Sequence, residues 1–144
     1  MGKSKSKVKT EFFVSMKNIP TTTHQEQQVR IVKNDKGKYV PVFYDPPELK
    51  EARQKFMAYL SPYVPDEPLL GATRLTVWWC YWHNGKHKNG EYKITKPDLD
   101  NNNKLLQDCM TKLGYWEDDK LIASLLVEKY WADIPGIFIR IEEL

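Results

Sequence analysis

The sequence predicts an α+β fold: a small mixed β-sheet with two main helices packed on it, in a single domain. Three observations lead there. Apolar residues alternate at period two in several short runs, most cleanly at Ile137, Ile139 and Ile141, as strands with one buried face do. They recur at helical spacing in two other stretches, at Leu49, Ala52, Phe56 and Leu60, and at Leu105, Leu106, Cys109, Met110 and Leu113. Taken in order, the elements read strand, hairpin, helix, strand, helix, strand, strand, a succession that packs helices on a sheet of mixed direction. A chain of 144 residues is long enough for one real core, and it contains no internal repeat or domain linker.

Residues 1–9 carry Lys3, Lys5, Lys7 and Lys9 and read as a flexible basic tail; residues 10–144 form the folded domain. Phe12, Val14 and Met16 share one side of a first strand over Thr10–Met16. The polar run 18–28 has no periodicity and reads as a loop. Val29–Lys33 and Tyr39–Phe43 flank Asn34-Asp35-Lys36-Gly37, the signal of a hairpin turn. In Asp45-Pro46-Pro47-Glu48, Asp45 is expected as N-cap, Pro46 at the first helical position and Glu48 closing a capping box. The helix stops before Pro62.

Thr73–His83 is a strand loaded with Trp78, Trp79, Tyr81 and Trp82. Both of its faces are apolar, so both are expected to be covered, by helices or by a partner subunit. A turn-rich loop follows, with Lys86, Lys88, Lys93 and Lys96 against one acid, Glu91. Leu121–Trp131 and Gly136–Glu142 are the last two strands.

Between the loop and those strands lies the stretch from Lys96 to Asp119, with Asp98, Asp100, Lys104, Asp118 and Asp119. Pro97 keeps Lys96 extended. Asp98 and Asp100 are two apart and face one side of an extended chain. Asp100 is expected to cap a helix over Asn101–Leu113, with Gly114 ending it. Lys104 follows one turn later. For Asp119 to join Asp98 and Asp100, the strand it opens must return beside the start of this helix. Carboxylates gathered in that way need a counter-charge. A hard dication such as Mg²⁺ supplies it. Carboxylates, Mg²⁺ and a lysine are the parts required to hydrolyse a phosphodiester.

The run Asp98-Leu99-Asp100-Asn101, then Lys104, Asp108 and Gly114-Tyr115-Trp116-Glu117-Asp118-Asp119, closely resembles the RusA-type Holliday-junction resolvases, a family common in prophages. The resemblance implies that Asp98, Asp100 and Asp119 are catalytic, metal-binding carboxylates and Lys104 the catalytic lysine, with Asp118 a second-tier acid. It implies Mg²⁺ as cofactor, with Mn²⁺ able to substitute, and a homodimer acting on four-way or other branched DNA. Asn102 departs from the family, which usually has an apolar residue there. With that family in view, Arg30, Lys33, Lys36 and Lys38 on the hairpin and Lys86, Lys88, Lys93 and Lys96 on the loop are expected to bind DNA.

Net charge is only +3, from 22 basic and 19 acidic residues, so DNA affinity has to come from such local patches. No apolar run has membrane-spanning length and no signal peptide is visible. Cys80 and Cys109 sit in apolar contexts and read as reduced residues of a cytoplasmic protein. Two rival functions use the same residues: a non-catalytic module for branched DNA, and a Mg²⁺-dependent nucleotide phosphohydrolase. The first predicts loss of an acid or of Lys104. The second predicts a Gly-rich phosphate loop. The sequence has neither feature.

Overall fold

The computed structural model describes residues 6–21 and 28–144. Six strands and two α-helices follow in the order β1 (Lys7–Ser15), β2 (Gln28–Lys33), β3 (Tyr39–Tyr44), α1 (Pro47–Leu60), β4 (Thr73–Trp82), α2 (Leu99–Leu113), β5 (Ile122–Ala132) and β6 (Gly136–Glu143). Four strands make one sheet, ordered β1-β6-β4-β5, and β2 and β3 pair as a separate hairpin. β6 lies antiparallel to both β1 and β4, whereas β4 and β5 are parallel. The sheet is therefore mixed, as the element order predicts.

Strand register puts Phe12 and Val14 of β1, Ile137, Ile139 and Ile141 of β6, and Leu75, Val77 and Trp79 of β4 on one face. Both helices close over it with Leu49, Ala52, Phe56 and Leu60 from α1 and Leu105, Leu106, Cys109 and Met110 from α2. Burial of this apolar set drives folding at about 25 cal/mol per Å². Gly136 opens β6 where two neighbours leave no room: a Cβ there would lie 2.2 Å from the Val14 carbonyl oxygen. Cys80 and Cys109 are both free thiols, and burial pushes each up to about 11.

Several expectations need correction. Residues 7–9 of the expected tail lie in β1, which begins at Lys7, and Lys9 pairs with Glu143 at 2.9 Å; residues 1–5 lie outside those described. So does most of the 18–28 loop. Asp45 does not cap α1. The N-cap is Pro46, which makes no side-chain cap, and Asp45 instead accepts from Arg53 Nε at 2.8 Å. Arg53 also pairs with Asp108 on α2, so one guanidinium ties the entry of the first helix to the second. Of the two covers expected for the faces of β4, helices supply one face and not the other. On the opposite face Trp78 packs against Phe138 and Tyr130, with ring centroids 4.5 and 6.0 Å away.

Candidate active site

The site is built where the chain leaves β4 and enters α2. Asn84 (φ 56°) and Gly85 (φ 72°) turn the chain. Residues 90–93 then run along the otherwise open edge of β5. Gly90 N–H donates to Trp131 O at 2.8 Å, Trp131 N–H to Glu91 O at 2.8 Å, and Lys93 N–H to Lys129 O at 2.9 Å. The following residues, 94–97, have no ladder partner, so their carbonyls are open to side-chain donors.

Two lysines provide them. Lys93 Nζ donates to Lys96 O and to Thr95 Oγ1, each at 2.5 Å. Lys129 Nζ donates to Thr95 O at 2.5 Å and Pro97 O at 2.7 Å. Lys93 is only 8% exposed, with its ammonium 4.3 Å from the Trp131 ring centroid and 5.3 Å from that of Tyr81. Burial, and then the neighbouring Lys129 charge, pull its pKa below the ordinary lysine value. Lys93 is therefore not one of the DNA-facing lysines it was expected to join.

Asp98, not Asp100, is the N-cap of α2, at φ −66° and ψ 132°, and its side chain makes no capping hydrogen bond. Asp100 lies within the first turn. The helix starts earlier than its periodicity suggests because Asp98 O already accepts from Asn102 N–H at 3.2 Å. Both carboxylates are exposed. Asp98 borders a cleft of about 330 Å³ with Thr21, Lys96, Pro97 and Asn101. Lys104 is exposed one turn further on. Asp108, a rival partner for it, is engaged by Arg53 and by Lys112 at 3.6 Å.

Below the first turn, Asn102 Nδ2 donates to the Tyr81 hydroxyl at 2.9 Å, and Asn103 Oδ1 accepts from Trp79 Nε1 at 3.0 Å. Both asparagines are buried. The unusual Asn102 thus has a matching polar group across from it on β4.

Asp118 and Asp119 lie elsewhere. Asp118 accepts from Lys120 N–H at 2.9 Å and caps the short 3₁₀ turn Asp119–Leu121. That backbone bond holds its carboxyl below the usual range. Asp119 is exposed. The expected return of Asp119 to the start of α2 does not occur within one chain. Because β4 and β5 are parallel, α2 must run back along the sheet between them. Its first turn sits over Trp79 and Tyr81, late in β4, whereas Tyr115, just past its end, accepts from Leu69 N–H ahead of β4. The 15 residues of α2 span about 22 Å, with Asp98 at one end and Asp119 past the other. Among the described residues no three His, Cys, Asp or Glu side chains are grouped so as to hold a metal ion. The pair Asp98 and Asp100 suits a hard dication by its chemistry, since such ions take one or two carboxylates and fill the rest of their shell with water and phosphate.

Of the expected DNA-binding residues, Lys86, Lys88 and Lys96 are exposed on the loop, and Arg30, Lys33, Lys36 and Lys38 on the hairpin. Arg30 lies 5.1 Å from the Tyr44 ring centroid. Asn34 Oδ1 orders the hairpin turn by accepting from Lys36 and Lys38 N–H, each at 3.0 Å. Lys129 escaped the sequence reading, and Tyr81 entered it only as one aromatic of its strand. The signal for Lys129 was phase: it alternates with Val127 and Trp131, placing a charge where an apolar residue belongs.

Asp98 and Asp100 thus stand exposed at the start of α2, with Lys104 exposed one turn on. Residues 18–142 match the family model for endodeoxyribonuclease RusA. A crossover junction endodeoxyribonuclease, rusA, of Lactococcus phage r1t is 35% identical over 143 residues, covering 95% of this chain and all of that protein. The chain belongs to the RusA endodeoxyribonuclease family.

Proposed function

We propose that this protein resolves Holliday junctions in the cytoplasm, as a homodimer that makes paired cuts with a divalent metal, Mg²⁺ or Mn²⁺. The observation that carries the reading is the pair Asp98 and Asp100, exposed at the start of α2 with no capping duty on Asp98, in a chain of this family. The metal, when bound, supplies an activated water and polarises the phosphate. Asp98 and Asp100 hold it. Lys104 faces the charge that develops on phosphate. Lys86, Lys88, Lys96 and the basic hairpin grip the DNA backbone, which positions the junction without reading its sequence.

The homodimer answers the separation of Asp119. In a two-fold pair whose axis stands perpendicular to α2 and passes beside it, the helix of each copy runs opposite to its mate, and Asp119 of one copy comes to Asp98 and Asp100 of the other. Two such sites match the symmetry of a four-way junction. The test is cleavage of a synthetic four-way junction, set beside linear duplex and free nucleotide, with Asp98→Asn as control. Paired cuts in the junction alone are expected, and none from the variant. Turnover of duplex or nucleotide in preference to the junction would refute this function.

A further inference from the structure

We propose that Lys129 is a positioning residue for the metal-holding acids, with Lys93 as its buried support. This rests on the nuclease reading above. The three carbonyls immediately before Asp98, those of Thr95, Lys96 and Pro97, all accept from these two ammonium groups. The segment has no ladder of its own, so these charge-assisted bonds fix its path. Each lysine is itself anchored. Lys129 stands on β5, which pairs with β4 along its length. Lys93 lies against the Tyr81 and Trp131 rings, a cation–π arrangement. The Tyr81 hydroxyl also takes the Asn102 amide at 2.9 Å. Backbone before Asp98 and helix after Asp100 are thus both tied to the same two strands.

Two other roles make different demands. A phosphate grip needs ammonium protons that point to solvent, and those of Lys93 are turned inward. A role through charge alone has the opposite sign: removing a cation beside a metal site tightens metal binding. Positioning predicts the reverse, because misdirected acids bind metal less well, by about 10–100-fold when a supporting partner is removed.

Mn²⁺ binding to the full-length protein, followed by electron paramagnetic resonance without DNA, reads this directly. Lys129→Met is expected to weaken Mn²⁺ at least about tenfold. Lys129→Arg, which keeps donors in place, should return to within about threefold of wild type. Junction affinity in chelator should stay within about twofold, since the grip on phosphate is untouched. Tighter Mn²⁺ binding by Lys129→Met, or unchanged Mn²⁺ with weaker junction binding, overturns the proposal. If Lys129→Met does not fold, Lys93→Met takes its place, since its apolar stem lies on the same rings; at least about threefold weaker Mn²⁺ is expected, and no change overturns the proposal. Unchanged binding in Lys129→Met beside lost binding in Asp98→Asn leaves the nuclease standing and removes only the role of Lys129. A wild-type protein that binds no Mn²⁺ removes both.

Discussion

Lys104 separates catalysis from surface chemistry most cleanly. It is exposed, and its sequence neighbour Asp108 is held by Arg53 and Lys112. If it acts on phosphate, its contribution belongs to the transition state rather than to binding. Lys104→Ala should slow single-turnover cutting by about 10²–10³, the loss typical of one preorganised electrostatic donor, with melting temperature and junction affinity little changed. A surface ion pair contributes only about 0.3–0.5 kcal/mol, so a rate close to wild type would reduce Lys104 to that role. Lys93 shows why single residues are hard to read in sequence. Nothing in a run of loop lysines marks the one whose stem turns in against Tyr81 and Trp131, because that direction depends on strands 12 and 38 residues away.

At the scale of elements, the fold was largely legible and the caps were not. All six strands and both helices lie where period and turn residues put them, because one buried face imposes its spacing on each. Capping is decided by competing partners. Asp45 faces Arg53, and so leaves the start of α1 to Pro46. Asp98 takes the capping position itself but keeps its carboxylate off the helix. The start of β6 supplies a stringent test. Gly136→Ala pushes a methyl against the Val14 carbonyl oxygen at 2.2 Å and Phe13 Cζ at 2.5 Å. The first of these is backbone and cannot rotate away. Overpacking of this kind costs about 1–3 kcal/mol, so thermal melting should fall by several degrees; an unaltered melt would mean that β1 and β6 can part locally without loss.

The whole molecule carries the least legible part of the site. Sequence places Asp119 only six residues beyond α2, and nothing in that spacing says that the helix runs away from the acids it should join. Only the parallel pairing of β4 with β5 decides it, a contact between distant segments. The proposed homodimer makes a prediction with a definite outcome. Asp98→Asn and Asp119→Asn proteins, each inactive alone, should regain cutting when mixed and re-associated. Each mixed dimer has one intact site and one doubly altered site, so the product is a nicked junction. Silence of the mixture would place both acids in one subunit or remove Asp119 from the site. Binding is a separate property of the same assembly. Charge removal at Lys86, Lys88 and Lys96 should flatten the slope of log affinity against log salt by about 0.9 for each phosphate no longer neutralised, measured with the inactive Asp98→Asn protein.

The bond between Asn102 and Tyr81 makes two distant codons answer to each other. An apolar side chain at 102 would leave the half-buried tyrosine hydroxyl without its donor, and a phenylalanine at 81 would strand the amide of the buried asparagine, each at about 1–3 kcal/mol. Changed together, to leucine and phenylalanine, they lose the bond and the two obligations with it. Lineages should therefore cross between the polar and apolar forms of this couple in paired steps, with either half-step short-lived. The double variant Asn102→Leu with Tyr81→Phe should accordingly be more stable than the sum of its single variants, and that excess measures how tightly the two positions are bound to a common history.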